Sequence, residues 1–178
     1  MSERAQKIYN SLSHQYNEIS VQQIDDVIAE YDDFESKQYA GKSLKERQEL
    51  GQFFTPPELS IKMLDKFSKK FPLDCLFDPC VGAGGLLKAA ILCGAVAEEN
   101  CYGLEYDKAL IPTTVSRLPK AHIKYGNALN SKCLSKDFFL KDGLEYVDEG
   151  EVGEIRNRDD ARNKVKNPTG FFNSFGKI

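Results

Sequence analysis

The chain has 178 residues, of which 41% are hydrophobic and 29% charged, an ordinary composition for a globular domain with a buried core. We expect no membrane span, because no run of about 18 apolar residues occurs, and no secretory signal, because the first residues are polar. The net charge of −3 is the wrong sign for coating nucleic acid by bulk electrostatics. Any contact with DNA would therefore need a local patch or a partner chain.

The cysteines and histidines bear on compartment and metal binding. Five cysteines without a C-x-x-C pair indicate reduced thiols and a cytoplasmic protein. His14 and His122 lie far apart in sequence, and neither has a ligand-like spacing to a cysteine. We therefore expect no metal site.

Residues 1–48 are predicted to form a polar, helical N-terminal arm. Apolar residues recur there at three- and four-residue spacing and make one stripe, which either packs on the main core, the favoured interpretation, or docks a partner. A capping box is predicted at residues 43–46, opening a short helix that stops near Gly51. The stripe consists of Val21, Ile24, Val27, Ile28 and Tyr31.

A second capping box is predicted at residues 55–58, Thr-Pro-Pro-Glu. Thr55 would be the N-cap, Pro56 would take the first helical position, and Glu58 would reach back to the cap. The helix would run to about Lys70. Its buried face would contain Ile61, Leu64 and Phe67.

Strands alternate with helices in residues 49–130, which we predict to be the core domain of an α/β fold. Such alternation implies a parallel sheet. The strands are predicted at residues 74–77, 101–105 and 121–125, and the helices at 84–93 and 108–117.

The pattern weakens in residues 131–178, which are predicted to be an irregular C-terminal tail. Asp142-Gly143 lies between two apolar runs, residues 138–140 and 144–147, and suggests a hairpin. Residues 148–166 are charged and lack apolar periodicity, as expected of a loop. The aromatic residues within 171–175 are expected to dock on another part of the chain.

Two features at the strand ends suggest a nucleoside site. Asp-Pro-Cys-Val-Gly-Ala-Gly-Gly at residues 78–85 leads from a strand into a helix, and its glycines allow a sharp turn and close approach of a ligand. Glu105 follows at the end of the next strand, where an acidic side chain accepts ribose hydroxyls in Rossmann-like sites. Each feature alone also fits a structural turn or a solvated carboxylate.

Two further segments could complete such a site. Asn127, after the third strand, has an amide that can both donate to and accept from an adenine edge. Phe53 and Phe54, just before the capping box predicted at residues 55–58, could close over an apolar or cationic group, since a sulfonium near an aromatic face is favoured. Taken alone, the first is a good turn sequence and the second a pair of core residues.

These segments together resemble the adenine-N6 DNA methyltransferases, in particular the modification subunits of type I restriction systems. The resemblance covers residues 44–130 and depends on four ordered motifs, at residues 51–56, 78–85, 103–107 and 126–129. It implies a partial Rossmann-like methyltransferase fold that binds S-adenosylmethionine and acts on DNA. The cofactor-binding residues that it implies are Phe53, Phe54, Thr55, Asp78, Pro79, Gly82, Gly84, Glu105 and Asn127.

The sequence departs from this family at the catalytic motif. The family places Asn-Pro-Pro-Tyr or Asn-Pro-Pro-Phe after a fourth apolar strand, to hold the target amine and stack on a flipped base. Here the one Asn-Pro pair, Asn167-Pro168, follows a charged segment and lacks the second proline, although Phe171 comes soon after it. We therefore expect the chain to hold the cofactor half of a methyltransferase, with Asn167, Pro168 and Phe171 as weak catalytic candidates.

Three functions fit these observations. The first is a DNA adenine methyltransferase that acts with a partner chain or through residues not recognised here. The second is a non-catalytic S-adenosylmethionine-binding regulator or decoy. The third is a remnant that only binds another protein or a second copy of itself. The family resemblance favours the first.

Overall fold

A computed structural model of the protein describes residues 2–13, 17–38, 54–129 and 133. The capping box at residues 43–46, Phe53, the hairpin and the aromatic tail lie outside the described residues, as do Asn167, Pro168 and Phe171. Within them, three helices come first, and three strands then alternate with further helical segments. The elements are α1 (Glu3–Asn10), α2 (Val21–Gln38), α3 (Pro57–Asp65), β1 (Leu76–Asp78), α4 (Gly85–Leu92), a 3₁₀ turn (Glu98–Asn100), β2 (Cys101–Glu105), α5 (Ile111–Arg117) and β3 (His122–Tyr125).

The three strands form one parallel sheet with β2 in the centre. Asp78 pairs with Gly103, and Glu105 pairs with Tyr125, so the carboxyl ends of all three strands lie at one edge. This confirms the predicted α/β class and parallel pairing. β2 has its predicted bounds, while β1 is shorter than predicted and includes Asp78.

The stripe on α2 packs into the main core. Ile24 is 0% exposed, and Val27 and Ile28 are also buried. They belong to one hydrophobic cluster with Ile61 of α3 and Leu87 of α4. The described part of the arm thus shares a core with the segment that carries the sheet.

The predicted start of α3 was wrong. The helix begins at Pro57 with Pro56 as its N-cap, and no side chain among the described residues caps it. Glu58 instead accepts a hydrogen bond from Arg4 Nε of α1 at 2.5 Å. A cationic partner from a distant helix competes for the carboxylate that the local pattern assigned to the cap.

Two other helix bounds also differ from expectation. α3 ends at Asp65 rather than near Lys70, where the buried Asp65 carboxylate accepts from Ser13 N–H at 2.7 Å. α5 begins at Ile111 rather than Lys108, because Asp107 Oδ1 accepts from Ala109 N–H at 2.9 Å and holds a turn there. Among the described residues, no helix is long and apolar enough to cross a membrane.

Candidate functional site

The glycine turn connects β1 to α4 and contains two glycines with positive φ, for two different reasons. Gly82 has φ +53°, and a Cβ built on it would meet no atom of the described residues within 4 Å. Gly84 has φ +80°, and its Cβ would lie 2.6 Å from Leu118 Cδ1. Gly84 is therefore required by packing against the end of α5, whereas Gly82 faces open space that a ligand can enter.

The turn is held against β2 by backbone hydrogen bonds. Val81 N–H donates to Leu104 O at 2.8 Å, and Gly82 N–H donates to Glu105 Oε2 at 2.8 Å. The close approach needs Gly103, because a Cβ there would lie 2.9 Å from Val81 Cβ. The sequence motifs around residues 82 and 105 are thus in direct contact.

Glu105 is partly buried, and both of its carboxylate oxygens accept from the backbone. Besides the bond from Gly82, Oε1 accepts from Asp107 N–H at 2.7 Å. These two bonds fix the orientation of the carboxylate. Since each carboxylate oxygen has two lone pairs, the group retains acceptor capacity for a ligand hydroxyl.

Asp78 ends β1 close to Glu105. Its Oδ1 accepts from Cys80 N–H at 3.0 Å. Burial raises the pKa of the Asp78 carboxyl, and the negative charge of Glu105 raises it further, against the opposing effect of the Cys80 hydrogen bond. Two neighbouring carboxylates make this edge of the sheet a favourable place for a cationic group.

Burial disfavours the thiolate form of Cys80, which follows β1, and of Cys101, in β2. Burial, together with the charges of Asp78 and Glu105, raises the pKa of the Cys80 thiol, which disfavours the thiolate. Burial likewise raises the pKa of Cys101 to about 12. None of the five cysteines forms a disulfide among the described residues, which also contain no group of three or more candidate metal ligands.

The segment before α3 approaches the turn. A Cβ built on Gly85 would lie 3.9 Å from Thr55 O. The ring of Phe54 lies edge-on to Phe34 of α2, with 4.9 Å between centroids. The structure therefore places the Thr55 backbone beside the end of the glycine turn and the Phe54 ring against α2.

The loop after β3 completes the same edge. Gly126 N–H donates to Glu105 O at 3.0 Å, which extends the strand pairing by one residue. Asn127 Oδ1 accepts from Leu129 N–H at 2.9 Å, in a local turn. Asn127 thus lies next to the strand that ends at Glu105, with its side-chain oxygen already engaged.

Aromatic side chains lie at the rim of this edge. Tyr106 follows Glu105 and is 54% exposed, and its ring lies 6.3 Å from that of Tyr125, between centroids. Lys108 Nζ lies 4.3 Å above the Tyr125 ring. The sequence analysis did not predict this pair of aromatic rings, although Tyr106 directly after Glu105 was a visible signal.

Helix α5 also holds the turn, and sequence reasoning missed this as well. The buried Thr114 donates from Oγ1 to Gly82 O at 2.5 Å. Arg117, one turn later, donates from Nη1 to Ala83 O. The signal available in the sequence was a threonine and an arginine at three-residue spacing on one face of a short helix.

One of three comparisons with known proteins found a match. The model of the N-6 DNA methylase family matches residues 24–118, more than half of the chain, including most of α2, the glycine turn and Glu105. A search of the curated proteins and a search of the solved structures each found no match. The chain belongs to the N-6 DNA methylase family.

Proposed function

We propose that this chain binds S-adenosylmethionine at the carboxyl ends of β1, β2 and β3, on a Rossmann-like methyltransferase core, and serves adenine-N6 methylation of DNA with a partner chain. The observation that carries the proposal is the open space at Gly82, bordered by the carboxylates of Asp78 and Glu105. An opening in the backbone beside two acids suits a ligand that carries both hydroxyl groups and positive charge. S-adenosylmethionine has a ribose, an ammonium and a sulfonium.

The methionine part would lie over the glycine turn. Asp78 would accept from the ammonium group, because it is the carboxylate closest in sequence to the turn and its Oδ1 is already oriented by Cys80. Pro79 and Gly82 would form the floor, and Phe53, Phe54 and Thr55 would close over the ligand. An aromatic ring near the sulfonium contributes about 0.5–2 kcal/mol.

The nucleoside part would extend from β2 toward β3. Glu105 would accept hydrogen bonds from the ribose hydroxyls through the oxygen lone pairs that its two bonds to the backbone do not use. Asn127 would face the adenine, with its amide nitrogen as donor, because its oxygen already accepts from Leu129. The exposed ring of Tyr106 offers an apolar surface for the base.

When bound, S-adenosylmethionine supplies an electrophilic methyl group. The residues of this chain would hold it by position and charge, which is the main contribution a protein makes to such a transfer. Holding an extruded adenine is a separate task that needs hydrogen-bond partners for its amine and a stacking ring. The Asn-Pro-Pro-aromatic motif that performs it in the family does not occur in this sequence, so we assign this task to a partner chain.

A non-catalytic role in binding S-adenosylmethionine is the second candidate. The missing motif favours it, because a chain that holds the cofactor without gripping a base would act as a regulator or a decoy subunit. The two candidates share the cofactor site and differ only in methyl transfer.

Calorimetric titration with S-adenosylmethionine and its demethylated product tests the shared site. Calorimetry is appropriate because the chain has no tryptophan to report binding by fluorescence. We expect saturable binding of both ligands with one site per chain. Heats indistinguishable from dilution, in a folded sample, would refute the proposal and favour a purely protein-binding role.

Transfer of a radiolabelled methyl group to DNA of mixed sequence separates the two candidates. We expect little incorporation by the chain alone and activity when a co-purified partner is added. Activity of the chain alone that disappears in Asn167→Ala or Phe171→Ala would instead make residues 167–171 the catalytic motif. Binding without transfer under all conditions would support the non-catalytic role.

A further inference from the structure

We propose that Arg117 is a positioning residue through which helix α2 fixes the shape of the glycine turn and so sets the affinity of the cofactor site. The inference rests on the proposed function, since the turn is taken as the floor of that site. Arg117 itself would touch no ligand. It would act through the turn and through Phe54.

The guanidinium of Arg117 is engaged on three sides. Its Nη1 donates to Ala83 O in the turn. Its Nε and Nη2 donate to the Glu30 carboxylate of α2 at 3.0, 2.6 and 2.8 Å. Its flat face lies over the Phe34 ring, with Cζ 3.8 Å from the centroid.

This geometry requires arginine rather than any cation. A lysine has a single nitrogen and cannot bond both oxygens of Glu30 and Ala83 O while stacking on a ring. The Arg117 side chain is only 12% exposed, so its bonds are little screened by water. Loss of any one partner would leave a largely buried polar group unsatisfied.

Arg117 acts on the part of the turn that faces the open space. Ala83 lies between Gly82 and Gly84, which both have positive φ. Thr114 holds Gly82 O and Arg117 holds Ala83 O, so two successive carbonyls are fixed by α5. In a trans peptide the N–H points opposite to the C=O, so Thr114 also directs Ala83 N–H away from α5.

The contacts of Arg117 also extend to Phe54, which we propose closes over the ligand. Phe34, stacked on Arg117, meets Phe54 edge-on at 4.9 Å. Glu30 and Phe34 both belong to α2, one helical turn apart. A shift of α2 would therefore move the turn and the Phe54 segment together.

The experiment compares Arg117→Lys and Glu30→Gln with the wild-type chain, and uses Arg4→Lys as a matched control. Arg4 also joins α2 to another helix, through Asp32 at 3.0 Å and Glu58 at 2.5 Å, but its bonds do not go to the turn. Three quantities are measured for each protein: the Kd for S-adenosylmethionine, the midpoint of thermal unfolding, and amide hydrogen exchange in the peptide covering residues 81–84 without ligand.

We expect Arg117→Lys to raise the Kd by about tenfold and to speed exchange at the turn. Exchange is a sensitive reporter, because Gly82 N–H and Gly84 N–H are both hydrogen-bonded there. Glu30→Gln should act in the same direction, and the double variant should be less impaired than the sum of both, since the two residues act through one another. Arg4→Lys should leave the Kd and the rate of amide exchange at the turn unchanged. This should hold even if Arg4→Lys lowers the midpoint of thermal unfolding by as much as Arg117→Lys does.

Two results would overturn the inference. One is a wild-type Kd in Arg117→Lys and Glu30→Gln. The other is a rise in Kd for Arg4→Lys equal to theirs, which would make the effect one of general stability. If the wild-type chain binds neither S-adenosylmethionine nor its demethylated product, the proposed function fails. The positioning role of Arg117 is then tested by exchange alone, and unchanged amide exchange at residues 81–84 in Arg117→Lys would refute it.

Discussion

The backbone N–H of Gly82 donates to the Glu105 carboxylate at 2.8 Å, which joins the glycine turn after β1 to the acidic residue at the end of β2. Two motif residues from neighbouring strands therefore support one another before any ligand is present. Glu105 consequently has two separable roles, as an anchor for the turn and as the proposed acceptor for ribose hydroxyls.

Substitution of Glu105 should separate these roles. Glu105→Gln keeps an oxygen that can accept from Gly82 but loses the charge and the acceptor for Asp107 N–H, so we expect weaker binding of S-adenosylmethionine with a smaller loss of stability than in Glu105→Ala. Glu105→Ala also removes the anchor and should cost about 1–3 kcal/mol in binding free energy, with a comparable loss in unfolding free energy. Calorimetry and urea unfolding measure the two quantities.

Glu99→Gln is the matched control, because Glu99 is an exposed carboxylate two residues before β2 begins, at the end of the strand away from Glu105. It should change neither quantity. Unaltered affinity in folded Glu105→Ala would remove Glu105 from the site.

The two glycines of the turn that have positive φ should respond differently to alanine. Gly82→Ala places a methyl group in open space, so its stability cost is that of a left-handed alanine, about 1–2 kcal/mol, while its methyl blocks the ligand. Gly84→Ala adds a contact 2.6 Å from Leu118 and should destabilise the fold more. Unfolding curves should therefore show the larger loss of stability in Gly84→Ala, and Kd values the larger loss of binding in Gly82→Ala. Normal cofactor binding by Gly82→Ala would mean that the turn is purely structural.

The sequence predicted those parts of the site that depend on local pattern. β2, the glycine turn and Glu105 were found because strand alternation, glycine and a strand-end acid are local signals. The Thr55 cap was wrong because Arg4, more than fifty residues away, takes the Glu58 carboxylate. The Arg117–Glu30 pair joins residues 87 positions apart, and such a pairing depends on how helices pack rather than on spacing along the chain.

Asp78→Asn should make the ligand-free protein more stable at neutral pH. Burial, and then the charge of Glu105, raise the pKa of Asp78, so the folded chain binds this proton more tightly than the unfolded chain does. Stability therefore falls as pH rises from the ordinary carboxyl range through the raised pKa, and stays reduced above it. The amide that Asp78→Asn introduces has no charge to bury, and its oxygen can still accept from Cys80.

Urea unfolding at a series of pH values checks this. The advantage of Asp78→Asn should disappear at acidic pH, and Asp74→Asn, at an exposed position on the same segment, should show no such trend. In the wild-type chain, affinity for S-adenosylmethionine should strengthen as pH rises through the raised pKa, because the ammonium group binds the carboxylate. A less stable Asp78→Asn at neutral pH would mean that the hydrogen bond from Cys80 outweighs the cost of burial.

We propose that the N-terminal arm, residues 1–48, folds as one unit with the core domain, residues 49–130. Ile24 of α2 and Leu87 of α4 are both 0% exposed and lie in one hydrophobic cluster. Ile24→Ala and Leu87→Ala should therefore each cost about 2–5 kcal/mol, because each leaves a cavity in the same core. Both variants should unfold in a single transition, whereas Gln22→Ala, on the exposed face of α2, should behave as the wild-type chain does. An early transition in Ile24→Ala that leaves amide exchange in α4 unchanged would show instead that the arm unfolds separately. Helix α2 would then not be fixed firmly enough to hold the turn in place through Arg117.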